Sequence, residues 1–89
     1  MPKLLLSNPF AEKTLTVWIE PWGRDYWMRP GDVFAIDSED RAADDDPPFE
    51  VSWLEDGIVV GVKGDSTVRD RGGIELECGH QRPVDLGDR

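Results

Sequence analysis

The chain is poor in the residues that carry most enzyme and metal chemistry. Its 89 residues include one cysteine, Cys78, and one histidine, His80. A single thiol excludes an internal disulfide. A structural zinc site wants four ligands, mostly Cys and His, and these two alone cannot supply it. A Cys–His nucleophilic pair needs a third group to orient it, and no candidate stands out. Cys78 is therefore read as an inward side chain and His80 as a surface one. Long apolar runs are missing too. Leu4-Leu5-Leu6 falls far short of a signal-peptide core or a membrane span, so a cytoplasmic location without membrane contact is expected.

Basic charge is also scarce, and the acidic excess is concentrated. The formal net charge is −9, from 19 acids against 10 bases. Between Asp37 and Asp56 nine acids stand against Arg41 alone, so that stretch carries −8 and the rest of the chain −1. Such a field repels phosphates and anionic headgroups, because affinity for nucleic acids and membranes rests on basic charge. Direct nucleic-acid binding is thereby excluded, whereas a protein partner with a basic surface suits the same field.

What is present is a period of two. Thr14–Glu20 alternates, with Leu15, Val17 and Ile19 on one face and Trp18 on the other; Tyr26 and Met28 share a face opposite Trp27. Val33–Asp37, Phe49–Leu54, Ile58–Val62, Ser66–Arg69 and Ile74–Cys78 continue the pattern. Between them lie Pro21-Trp22-Gly23, Pro30-Gly31-Asp32, Gly64-Asp65 and Arg71-Gly72-Gly73, all good turn formers. Asp56-Gly57 is the strongest hairpin signal, since Asp-Gly supplies the positive φ angles of a tight turn. The expectation is an all-β fold: a small antiparallel β-sandwich or half-barrel of six or seven short strands without a substantial helix. Residues 1–80 form the domain, 37–48 an acidic loop, and 81–89 a polar tail expected to fray. Leu4–Leu6 offers an edge on which a second copy could pair, so a homodimer is compatible with the pattern.

Several motif-like strings fail on physical grounds. Gly57–Thr67 has an aspartate where a phosphate loop needs its lysine, and no helix follows. Arg71-Gly72-Gly73 is a single turn, not a repeat, and Asn8-Pro9-Phe10 reads as a turn start. The acidic loop lacks the spacing of an EF-hand. No cofactor, metal site or catalytic residue is implied. General acid–base catalysis needs two carboxylates in a shaped cleft, and acids scattered over hairpins designate no pair, so a non-enzymatic protein is expected.

Two candidate surfaces remain. Asp37, Glu39, Asp40, Asp44, Asp45 and Asp46 form a candidate partner-binding loop. Trp18, Trp22, Tyr26 and Trp27 form a candidate aromatic patch for a ligand or sugar ring, unless the rings are core.

The segment Glu20-Pro21-Trp22-Gly23, Tyr26 and Pro30-Gly31-Asp32-Val33-Phe34-Ala35-Ile36 resembles small uncharacterised bacterial β proteins. It is similar, more distantly, to the second motif of cupins, in which a proline–glycine turn precedes a metal-binding histidine. Phe34 stands at the histidine position and no His-x-His pair exists, so the resemblance implies the sandwich or half-barrel without the metal. The leading expectation is a non-enzymatic protein-interaction module, such as an inhibitor, immunity-type or accessory protein, acting through the acidic loop. The alternative is a cupin-like binder of a small ligand or carbohydrate that uses an aromatic concave face.

Overall fold

The alternation of apolar residues becomes two sheets whose inner faces share one core. The computed structural model describes residues 2–39 and 47–83. Among them seven strands form: β1 (Lys3–Ser7), β2 (Leu15–Glu20), β3 (Arg24–Met28), β4 (Val33–Ser38), β5 (Phe49–Leu54), β6 (Gly57–Val62) and β7 (Ser66–Arg69). One sheet has the order β1-β4-β7 and the other β3-β2-β6-β5. No helix occurs among the described residues, as the missing 3.6-residue period predicts.

The core follows from side-chain parity. Leu15, Val17 and Ile19 from β2, Tyr26 and Met28 from β3, and Ile58, Val60 and Val62 from β6 are buried against Leu6, Phe34, Ile36 and Val68 of the other sheet. Each such side chain contributes roughly 1.5–3 kcal/mol by leaving water.

Four strand pairs are antiparallel, but β2 and β6 run parallel, with Val17 opposite Ile58 and Ile19 opposite Val60. The larger sheet is thus mixed, where an antiparallel one is expected. Periodicity cannot reveal strand direction, because a strand alternates identically in either sense.

Two elements differ from the expectation. Leu4–Leu6 is not one of them: it belongs to β1, which lies against β4 with Leu5 opposite Ala35 and leaves its other edge unpaired among the described residues. The β5–β6 turn is Glu55-Asp56, one residue earlier than Asp56-Gly57, because Leu54 already pairs with Gly57. Gly57 is absent from the residues with positive φ. Its need is for space: a Cβ there would collide with the Thr16 carbonyl oxygen and stand 2.8 Å from Cζ3 of Trp18.

Ile74–Cys78 is not a strand. After Asp70, whose Oδ1 accepts from the backbone N–H groups of Gly72 and Ile74, the segment makes a single bridge, Glu75 opposite Arg69. It then turns at Glu77–His80, where the His80 N–H donates to the Glu77 carbonyl at 3.0 Å. Leu76 alone of the three expected inward residues is buried, while Ile74 and Cys78 are exposed. The turn delivers the chain to the edge of β3. There the Trp27 N–H donates to His80 O at 2.9 Å, and the Gly79 N–H to Asp25 O at 2.6 Å. The Gln81 amide donates to Trp27 O at 2.7 Å and to Asp32 Oδ2 at 2.8 Å. The chain therefore stays tied down through Arg82, past the point where fraying is expected to begin.

Candidate functional site

The four rings of the expected aromatic patch do not share a surface. Tyr26 is 1% exposed and belongs to the core, since parity sets it on the inner face beside Met28. Trp18 and Trp27 lie on the outer face and are half-buried. The Trp27 indole N–H donates to Asp25 Oδ2 at 2.8 Å, so its polar edge is already satisfied within the fold. Trp22, in the β2–β3 turn, is 50% exposed.

Asp25 organises that outer face. Its carboxylate accepts from Trp27, from Nε of Arg82 at 2.9 Å, from the Arg82 Nη2 amine and from the Cys78 thiol at 3.5 Å. The Arg82 hydrogen bonds are the largest influence and hold the Asp25 carboxyl well below the usual carboxylate range. Burial opposes them, and the Trp27 and Cys78 bonds add to the lowering. This arrangement welds the segment after β7 onto β3. It is a structural clasp, and it also explains why Cys78 sits at the surface. Among the described residues no three His, Cys, Asp or Glu side chains come together as metal ligands.

The acidic candidates separate as well. Asp37, on β4, is buried and ion-paired to Arg69 Nη1 at 2.7 Å. It is a strut of the smaller sheet, not a carboxylate offered to a partner. Glu39 is exposed, with its backbone N–H on Asp65 O at 2.8 Å. Asp40, Asp44, Asp45 and Asp46 lie outside the described residues.

Glu39 and Trp22, one from each expected surface, meet in a shallow groove of about 500 Å³ that Arg24, Asp65 and Ser66 complete. Arg24 Nη2 donates to Ser66 Oγ at 2.7 Å, so its charge is partly committed inside the fold. A second depression, of about 420 Å³, lies between Glu20-Pro21 and Pro47–Glu50. Glu20 and Glu50 both face Gly61 of β6, leaving two carboxylates flanking a residue with no side chain. Neither depression contains Trp18, Tyr26 or Trp27.

The most exposed aromatic of the chain is one the sequence pattern conceals. Trp53 shares its strand face with Phe49 and Val51, which pack against the core, yet it is 74% exposed and Leu54 beside it is 52% exposed. Both end the edge strand β5, and Glu50, Glu55 and Asp56 around them are exposed acids. The only sequence signal for this was the position of Trp53, two residues before the Glu55-Asp56 turn, where a hairpin tip outruns the sheet covering it. Lys13 steadies the tip, its ammonium donating to Glu55 O at 2.9 Å and standing 3.8 Å from Asp56 Oδ1.

The chain matches no family model, no curated protein and no solved structure. Function must therefore be argued from the geometry of its surfaces.

Proposed function

We propose that this chain is a non-enzymatic protein-interaction module that engages a basic partner surface through its acidic stretch, Glu39–Asp56. The observation that carries this reading is the end of β5, where Trp53 and Leu54 stand in water among acids. Interfaces concentrate their energy in a few aromatic anchors surrounded by a polar rim. The rim here is predominantly acidic, which speeds encounter with a basic partner and selects against acidic ones.

Charge sets the test. With the partner captured from the native host, affinity for the purified chain is measured as ionic strength rises, for wild type and for the triple variant Asp44→Asn, Asp45→Asn, Asp46→Asn. Binding should weaken with salt and with neutralisation, chiefly through a slower association rate. An affinity indifferent to both would refute the reading.

A further inference from the structure

Among the described residues strand β5 has one edge in use and one free, and the register shows which main-chain groups the free edge presents. In the β5–β6 hairpin the two-residue turn Glu55-Asp56 is closed by the pair Leu54–Gly57. In antiparallel pairing, residues that exchange hydrogen bonds alternate with residues that do not, and the pair closing a two-residue turn is a bonded one. Six residues earlier the same phase persists, since the Lys63 N–H donates to Pro48 O at 3.0 Å. Glu50, Ser52 and Leu54 thus bond to β6. The N–H and C=O groups of Phe49, Val51 and Trp53 point the other way. Among the described residues β5 pairs with β6 alone.

Two of the other sheet edges are closed by the chain itself. Cys78–Gln81 lies along β3, with the Trp27 N–H on His80 O. Ile74–Leu76 lies along β7, with the Leu76 N–H on Val68 O at 2.7 Å. β1 also leaves an edge unpaired among the described residues, but it carries Lys3 and no acid. β5 is the open edge that combines unpaired main-chain groups, a bare tryptophan and acidic flanks. An open edge of this kind is a template for strand addition.

We propose that β5 receives an extended, basic segment of the partner as a fifth strand of the larger sheet; this rests on the interaction-module reading above. Its alternate side chains would divide by face. Apolar ones would extend the layer begun by Phe49 and Val51 and cover Trp53. Lysine or arginine side chains would fall on the opposite face, beside Glu50. A second copy is the wrong occupant, because it would set one −8 stretch beside another, and like charges on adjacent strands repel.

The probe is a blocked seven-residue peptide alternating lysine and valine, added to the full chain while amide hydrogen exchange is followed residue by residue. Exchange at Phe49, Val51 and Trp53 should slow on binding, while the amides of Ser52 and Leu54, already bonded to β6, change little. Val51→Pro removes one outward N–H without touching a β6 bond, a substitution an edge strand tolerates, and should weaken binding by roughly tenfold. Val51→Ala loses the same packing but keeps the N–H, and should bind within about twofold of wild type. Equal loss in both variants, or no peptide binding up to ~1 mM (a free energy of only about −4 kcal/mol), overturns strand addition. So does protection along β1 instead of β5. Salt-sensitive peptide binding with protection elsewhere would remove β5 as the dock and leave the acidic-stretch reading standing. Dimerisation through β5 without peptide, seen by sedimentation, would overturn the choice of a basic occupant.

Discussion

Trp18 lies across Gly57. The indole on β2 reaches over the first residue of β6, where a Cβ would stand 2.8 Å from its Cζ3 and collide with the Thr16 carbonyl oxygen. β2 and β6 are the central, parallel pair of the larger sheet. The contact therefore sits where the two halves of that sheet are joined.

Gly57→Ala should accordingly destabilise the fold by about 1–3 kcal/mol, the usual cost of forcing extra volume into a packed site. The turn itself should be spared, because Gly57 does not use a positive φ. Trp18→Ala alone should also destabilise. Combined with Gly57→Ala it should cost less than the sum, since part of the collision is gone; the Thr16 clash remains. Denaturant unfolding of the two single variants and the double variant measures the coupling, and strict additivity would disprove the contact.

The Asp25–Arg82 clasp gives a pH signature. A carboxyl held below its unfolded value, about 3.9, stabilises the fold in its ionised form. That stability is complete above the unfolded value and is lost as pH falls through the folded one. Asp25→Asn should cost about 1–2 kcal/mol near neutrality, toward the low end because Arg82 is 55% exposed and solvent screens it. The gap between wild type and variant should hold down to about pH 5 and narrow below about pH 4. A gap that widens on acidification would contradict the assignment.

Asn8 shows how a residue read only as a turn former can be a structural pin. It is 1% exposed. Its Nδ2 donates to Lys13 O at 2.7 Å and to Met28 O at 3.0 Å, while its Oδ1 accepts from the Phe10 N–H at 3.0 Å. Asn8→Ala should destabilise by about 2–3 kcal/mol, because it strands a buried carbonyl at the end of β3. Asn8→Asp should be worse above about pH 4, where a carboxylate would face two carbonyl oxygens. Thermal unfolding of both variants at two pH values separates the effects.

Six of the seven strands were legible in the sequence because alternation and turn chemistry are local. β1 was legible only as an edge without a partner: Leu4-Leu5-Leu6 alternates nothing, and its pairing with β4 is not a local signal. Asp56-Gly57 marked the right hairpin for the wrong reason, because a glycine demanded by a neighbouring strand looks the same as one demanded by a turn. Ile74–Cys78 alternates convincingly, yet the Gly79 turn and the pull of Asp25 on Arg82 take the chain elsewhere. Those bonds span more than fifty residues of sequence. The candidate surfaces were less legible still. Parity told which face Tyr26 and Trp53 occupy, but cover depends on how far the opposite sheet extends. That is why Tyr26 is core and Trp53 is not.

The contrast between those two aromatics is itself testable. Tyr26→Ala removes one of the largest fully buried side chains and should cost about 3–5 kcal/mol, the range for deleting a large aromatic from a core. Trp53→Ala removes a ring that is 74% exposed and should leave stability within about 0.5 kcal/mol of wild type. Its effect should appear on binding, as a faster dissociation of the partner, because a buried aromatic anchor acts mainly after encounter. Neutralising the acids should instead slow association. Stopped-flow kinetics on the two kinds of variant distinguishes anchor from field. If Trp53→Ala lowered stability as much as Tyr26→Ala while leaving dissociation unchanged, Trp53 would be a core residue and the end of β5 would lose its claim as an interface.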